Sequence, residues 1–341
     1  MNRSSVCWRS VGRGLALLTL VGGGLVAHAG PQTAADCRAA EPVPWQAVAP
    51  GVWVWLPPGA GDVSPANAGH VVPTSVVIGG REAMVIDPGP SHRHGQRLRQ
   101  SIECRFKASV RWIVNTHAHS ENVLANSAFA DLAANGRVDI LATAATREGM
   151  AQRCPDCLAS LTQRVGEAAM AGTRIVLPNR TLAEGDQLRV GALRLRVMRV
   201  EQGHTEGDLV LWNPRHRLLW AGGLVYQGRV PELAQGRVDH WLAALARLEA
   251  LKPRQVLSTV WSKGSQGVPP PAVAATRDYL QSLRERTLQA MDEGAQPQEI
   301  DRVNLSAFQH WEGYAARHGF NVQRAWRELE SVWMDRATPT K

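Results

Sequence analysis

The sequence predicts an α/β (α+β) chain in which two β-sheets pack face to face with helices outside, followed by a helical C-terminal extension. Three observations carry this. Short runs rich in Val, Ile and Trp, bounded by Gly or Pro, cluster with helical stretches between them. The same succession then occurs a second time, and a sheet with one apolar face must bury it against another layer. From about Pro269 onward the pattern turns helical. No short-period repeat or low-complexity tract interrupts this order.

The first 29 residues stand apart. Arg3, Arg9 and Arg13 with no acidic residue precede an apolar stretch from Leu15 to Val26, and Ala27-His28-Ala29 supplies small residues for cleavage after Ala29. This is the pattern of a secretory signal peptide. The apolar run, broken by Gly22, Gly23 and Gly24, falls short of the ~20 residues of a spanning helix. The expectation is a periplasmic or secreted protein with no membrane span after signal cleavage. Residues 30–48, rich in Pro and Ala, read as a flexible leader, residues 49–268 as the sandwich, and 269–341 as a helical extension packed on it.

Within the sandwich, "GVWVWLP" (51–57), "VVPTSVVIGG" (71–80) and "EAMVIDPG" (82–89) read as strands. "GQRLRQSIECRF" (95–106) has helical spacing, and "SVRWIVNTHAH" (109–119) is a strand running into a loop. "ENVLANSAFADLAANG" (121–136) reads as one helix closed by Gly136, followed by the strand "VDILAT". After a helical stretch over 146–171 come two strands turning at Gly191 and a pair, "DLVLWN" and "RLLWAGGLV", across "PRH". A helix over roughly 238–251 and the strand "RQVLSTV" complete it. In "NVQRAWRELESVW" (321–333) Val322, Ala325, Trp326, Leu329, Val332 and Trp333 share one face, which packs rather than binds.

The formal charge of +8 falls to about +5 without the signal, and the arginines are scattered, which argues against nucleic acid as a partner. Four cysteines remain after cleavage. An even number in an exported protein favours disulfides. The expected pairs are Cys154–Cys157, within "CPDC", and Cys37–Cys104. A redox role for "CPDC" is the alternative, and a zinc ribbon would need a second such pair that the chain lacks.

The chemistry concentrates on histidines. His117 and His119 stand two apart at a strand end, where alternate side chains point the same way. His204, in the Gly-containing loop "EQGHTEGDLVLW", offers a third imidazole. Three nitrogen ligands with a position left for water is the usual plan of catalytic zinc. His70, His92 and His94 are left outside this set, with "SHRH" read as solvated loop.

"SVVIGGREAMVIDPGPS", "THAHSEN" and "GHTEGDLVLW", in this order, resemble the metallo-β-lactamase fold superfamily. "AGGLVYQGRVPEL" and "WEGYAARHGFNVQRAWRELESVW" look more closely like the zinc metallohydrolases of quinoprotein (PQQ-associated) oxidation systems. The resemblance implies a four-layer αβ/βα sandwich with the metal at one edge between the sheets. His117, His119 and His204 match the first metal site. At the second, Glu121 stands for Asp, Asn122 for His, Gly223 for Asp, and Val260 or its neighbours for the last His. The expectation is therefore one Zn2+ and no second metal, since an Asn carbonyl is a poor zinc donor. Asp87 is placed as a residue ordering the site.

Glu121 then has two readings: a general base near the zinc, or a carboxylate at a helix N-terminus. Asn122 and Tyr226 are candidate substrate or oxyanion contacts, with an N-cap and simple packing as their plainer roles. The expected function is an exported single-zinc hydrolase of a small-molecule ester, thioester, lactone or amide, linked to quinoprotein dehydrogenase pathway components. The competing readings are an inactive accessory protein on the same fold and a thiol–disulfide protein using Cys154 and Cys157.

Overall fold

The computed structural model describes residues 37–58, 61–226, 228–258 and 271–337. The signal segment, the first part of the leader and Val260 lie outside the described residues. The chain runs β1 (Gln46–Ala49), β2 (Val52–Trp55), β3 (Thr74–Gly79), β4 (Glu82–Ile86), α1 (His92–Phe106) and β5 (Ser109–Val114). Next come α2 (Ser120–Val123), α3 (Ala130–Ala134), β6 (Asp139–Ala142), α4 (Ala144–Val165), α5 (Glu167–Met170) and β7 (Arg180–Thr181). The second half holds β8 (Gln187–Val190), β9 (Leu193–Glu201), β10 (Gly207–Asn213), β11 (Leu218–Gly222), α6 (Val238–Ala250) and β12 (Gln255–Ser258). The helices α7 (Pro271–Asp292) and α8 (Tyr314–Ala337) follow.

The strands form a seven-stranded sheet in order β1-β2-β3-β4-β5-β6-β7 and a five-stranded sheet in order β12-β11-β10-β9-β8. The first is antiparallel from β1 to β4 and parallel from β4 to β7. The period of two along β4 decides its two faces. Met84 and Ile86 enter the core shared with Leu195, Val197, Leu209 and Leu211 of the second sheet. Ala83 and Val85 face the other way, toward Leu98 and Ile102 of α1. Trp241, Leu245 and Leu248 of α6 close the far side of the second sheet, with Tyr279, Leu280 and Leu283 of α7 behind them. Helices therefore lie outside both sheets. Where the end of β3 meets the turn between β8 and β9, a Cβ on Gly79 would stand 2.4 Å from the backbone nitrogen of Gly191, so glycine is required there.

The end of the expected flexible leader is held in the fold, with Val43 and Trp45 buried and β1 starting at Gln46, and two expectations of local structure also differ. The segment 121–136 is three pieces, α2, a tighter 3-10 stretch over Leu124–Phe129, and α3. Side chains compete for its backbone and fix the winding: Ser127 Oγ donates to Leu124 O, and Asn126 donates to Val176 O and exchanges amide bonds with Asn115. "SHRH" is not solvated loop but the first turn of α1, because Ser91 Oγ accepts the His94 N–H as N-cap.

The cysteines separate likewise. Cys37 and Cys104 are bridged, with Cα atoms 5.5 Å apart. Cys154 and Cys157 are both free, correcting the expected second bridge. They lie three apart within the 22-residue helix α4. Regular helical backbone holds such Cβ atoms about 5–6 Å apart, wider than the ~3.8 Å of a disulfide.

Candidate metal centre

β5 ends at Val114, and the chain then turns sharply, delivering His117 and His119 to one edge of the sandwich. The loop between β9 and β10 brings His204 to the same point. The three can offer ligand atoms that all lie within 4.8 Å of one another. His204 Nε2 stands 3.3 Å from His119 Nδ1. His117 and His204 are buried, while His119 is partly open.

Hydrogen bonds choose which nitrogen each ring presents. Thr116 Oγ1 donates to Asp87 Oδ2 (2.7 Å), so its lone pairs accept the Nδ1–H of His117 (2.9 Å). His204 donates Nδ1–H to the carbonyl of Glu232 (3.1 Å). Both rings are thereby left with Nε2 as a free lone pair. Burial first, and then repulsion from the neighbouring imidazoles, pushes His117 and His204 well below the usual histidine range. These two are neutral and aimed at one point, and with His119 they make a donor set that fits zinc.

Two buried carboxylates shape the loops behind the ligands. Asp87 sits at φ 52°, in the left-handed region that costs a non-glycine residue energy, and accepts Thr116 N–H (2.9 Å) and Oγ1. It thus lies behind His117, joined to that ring through Thr116 Oγ1. Asp208 plays the matching part for His204: its Oδ2 accepts the N–H groups of His204 (2.7 Å) and Thr205 (2.8 Å). Burial pushes both carboxyls up to about 7, against the lowering effect of these donors. Sequence reasoning missed Thr116, Asp208 and the Glu232 carbonyl. The His-Thr-x-x-Asp spacing, with a short acceptor four residues after His204, was a usable signal for Asp208.

At the second-site positions, Glu121 lies on the cavity wall in the first turn of α2, its Oε1 3.8 Å from His119 Nδ1. Asn122 is not an N-cap: His119 holds that position, and Asn122 is fully buried inside α2. Its amide is near enough to Asp87 to favour the ionised carboxylate, yet neither polar atom reaches a partner at hydrogen-bond geometry. Unlike the equally buried His117 and His204, it does not line the cavity beside the imidazoles. Gly223 offers no ligand, and a Cβ there would fall 2.1 Å from His204 Cδ2. Among the described residues, the three histidines are the only group of three or more such side chains placed to share an ion. Residues 259–270, which include Val260, contain no His, Cys, Asp or Glu.

The three imidazoles open into a cavity of about 510 Å3. Val63, Val71, Val72 and Leu161 make its apolar wall, and Glu121, Arg164, Arg229 and Arg317 are among its charged residues. Tyr226 lines it as well, with its ring 6.0 Å from that of His204. Burial pushes the Tyr226 phenol well above its ordinary value, so it stays a neutral donor. Cys157 is on the same wall, but burial raises its thiol, and raises Cys154 to about 12. Thiols held protonated are weak nucleophiles, which argues against a redox role.

His70 and His94 lie outside the centre, packed on Trp55: His94 stacks on the indole at 4.1 Å and His70 meets it edge-on at 4.8 Å. Burial, aided by Arg97, pushes His70 down to about 4. The folded protein thus keeps His70 neutral while the unfolded chain takes up a proton below about 6.5. Its contribution is complete above pH 6.5 and is lost as pH falls through 4, about 2.5 kcal/mol between pH 7.5 and 4.5. Asp87 and Asp208, with raised values, act in the opposite direction. A His70→Gln variant should therefore lose less stability than the parent between these two pH values in urea titrations, and parallel losses would reject the assignment.

A family model described as the metallo-beta-lactamase superfamily matches residues 68–258. Among curated proteins, the chain is similar to the acyl-coenzyme A thioesterase MBLAC2 of Gallus gallus, 33% identical over 86 residues. It is also similar to a hydroxyacylglutathione hydrolase of Bdellovibrio bacteriovorus, 27% identical over 84 residues. Each match covers 25% of this chain, and only 31% and 33% of those proteins. Of solved structures, a metallo-beta-lactamase from Pontibacter korlensis superposes with a TM-score of 0.53 at 21% identity, covering 70% of this chain and 99% of that one. The metallo-beta-lactamase FIM-1 from Pseudomonas aeruginosa in its mono-zinc form gives 0.54 at 17% identity, covering 71% and 96%. With two sheets, outer helices and three histidines at the sheet edge, the chain belongs to the metallo-beta-lactamase superfamily.

Proposed function

We propose that this protein is an exported hydrolase that works with a single zinc ion and cleaves a small-molecule ester of the thioester class. The observation that carries the reading is the convergence of His117, His119 and His204, with the Glu121 carboxylate 3.8 Å from His119 Nδ1. A scaffold without turnover has no physical need to bury unprotonated imidazoles against one another. A single ion is supported by the donors: Asn122 does not line the cavity, Gly223 has no side chain, and residues 259–270 hold no strong ligand.

When bound, zinc lowers the pKa of water toward ~7 and polarises a carbonyl oxygen. The chain's own residues do the rest. Glu121 takes the proton of the attacking water and can return it to the leaving group. Its other reading, a carboxylate at the start of a helix, has less support, because α2 has only four residues and Glu121 makes its hydrogen bond with Ser120 Oγ. Tyr226 faces the developing oxyanion as a neutral donor. Asp87, through Thr116, keeps the His117 ring in its ligating orientation.

Acyl-CoA and hydroxyacylglutathione are both thioesters, and the names of the two curated relatives therefore favour that class over lactones and amides. Export is supported by the N-terminal pattern and by the Cys37–Cys104 bridge, since disulfides persist in oxidising compartments. Service to quinoprotein oxidation rests on the sequence resemblance alone.

Metal analysis of the purified chain is expected to find close to one zinc per molecule, with His204→Ala losing it. Protein free of zinc, prepared without chelators, would remove the hydrolase reading and leave an accessory role. A panel of acyl thioesters and oxygen esters then ranks the substrate classes.

A further inference from the structure

Asn321 of α8 lies far along the chain from every histidine of the centre, yet its side chain is fully engaged with the segment that bonds one of them. It is 1% exposed. Its Oδ1 accepts the N–H of Leu233 (3.1 Å), and its Nδ2 donates to the carbonyl of Pro231 (2.7 Å) and to Tyr279 Oη (3.0 Å). Pro231 and Leu233 flank Glu232, whose own carbonyl receives the Nδ1–H of His204. One amide therefore grips the backbone on both sides of the group that orients the third imidazole.

The rest of the C-terminal part holds the same segment. Arg317 of α8 pairs with the Glu232 carboxylate (3.1 Å). Backbone bonds join Val230 N–H to Glu312 O and Glu312 N–H to Gly228 O. Glu328 accepts the Val238 N–H at the start of α6 (2.7 Å). On its other side the segment meets the His204 loop directly, through Arg237 N–H to the carbonyls of Gln202 and Gly203. The family-model match ends at residue 258, before α7 and α8 begin.

We infer that Asn321 is a positioning residue for His204: by clamping residues 231–233 it aims the Glu232 carbonyl, and so makes the C-terminal helices part of the metal site. The inference rests on the reading of His204 as a ligand. A backbone carbonyl on an unbraced loop can rotate away. The His204 ring would then lose its fixed tautomer and orientation, which supporting partners of a ligand normally set at 10–100-fold in affinity.

The test compares full-length N321A with Y279F, which removes one partner of Asn321 but leaves the bonds to Pro231 and Leu233. Zinc affinity by competition with a chromophoric chelator should fall about 10-fold or more in N321A and stay within about twofold in Y279F. In the zinc-free proteins, 15N NMR of the imidazoles should show the hydrogen-bonded Nδ1–H of His204 shifted or lost in N321A and kept in Y279F. Affinity and His204 signal unchanged in folded N321A would overturn the inference. So would equal losses in both variants, which would mark a general structural effect. If N321A does not fold, N321D keeps the acceptor for Leu233 and loses the donor to Pro231, and the same readouts decide. Wild-type protein that binds no zinc would defeat the hydrolase reading, while the NMR comparison would still judge the clamp.

Discussion

On the proposed function, Glu121→Gln is expected to keep bound zinc and to hydrolyse an acyl thioester roughly 10²–10⁴-fold more slowly, the usual contribution of a positioned general base. Glutamine matches glutamate in length and in its capacity to accept from Ser120 Oγ, so the α2 turn should persist. What it cannot do is take up a proton. The carboxylate stands near the convergence of the three imidazoles, on the wall of the cavity rather than folded over the α2 backbone. Were its role confined to the charge at a helix start, the variant would lose a few tenths of a kcal/mol of stability, about what such a charge supplies, and no turnover. Steady-state rates normalised to measured zinc content separate these outcomes. Full activity with zinc retained would reject Glu121 as the base.

Gly223→Ala should weaken metal binding, lowering zinc affinity roughly 100-fold, the upper end of what a displaced ligand environment costs. A Cβ at this position would lie 2.1 Å from Cδ2 and 2.8 Å from Nε2 of His204, far inside contact distance. The ring cannot simply retreat, because Trp241 packs against it with ring centres 5.3 Å apart and is itself fully buried, with its indole N–H bonded to Leu224 O. The same geometry bears on the missing second site. Restoring the aspartate by Gly223→Asp should not recruit a second ion but displace the first. Chelator competition on both variants measures this, and wild-type affinity in Gly223→Ala would show that the ring relocates without loss.

Much of the architecture was legible because the signals for it are local. The alternation in β4, the Val- and Trp-rich runs and the stripe on α8 each report a burial pattern within a few residues. The two lapses in element reading share a cause. The helix expected over 121–136 breaks where Asn126 bonds to Asn115 and Val176, and the solvated loop expected at "SHRH" is a helix start whose His94 ring stacks on Trp55. In each, partners remote in sequence or a single cap outweighed composition.

The centre divides along the same line. The sequence by itself determined which imidazoles are candidate donors, His117, His119 and His204, and that Glu121, Asn122 and Gly223 stand where the family resemblance implies a second site, since ligand chemistry depends on residue type and order. Tertiary structure alone decided which nitrogen each ring presents, because that depends on Thr116, Asp87 and the Glu232 carbonyl meeting the rings in space. It also buried Asn122, left Cys154 and Cys157 unbridged, and brought Asn321 to the backbone on both sides of Glu232. Spacing along a chain encodes what lies within a turn or a strand. Hydrogen-bond partners 28 and 88 residues apart, as in His204–Glu232 and Leu233–Asn321, are set only when packed layers hold two backbones at one distance.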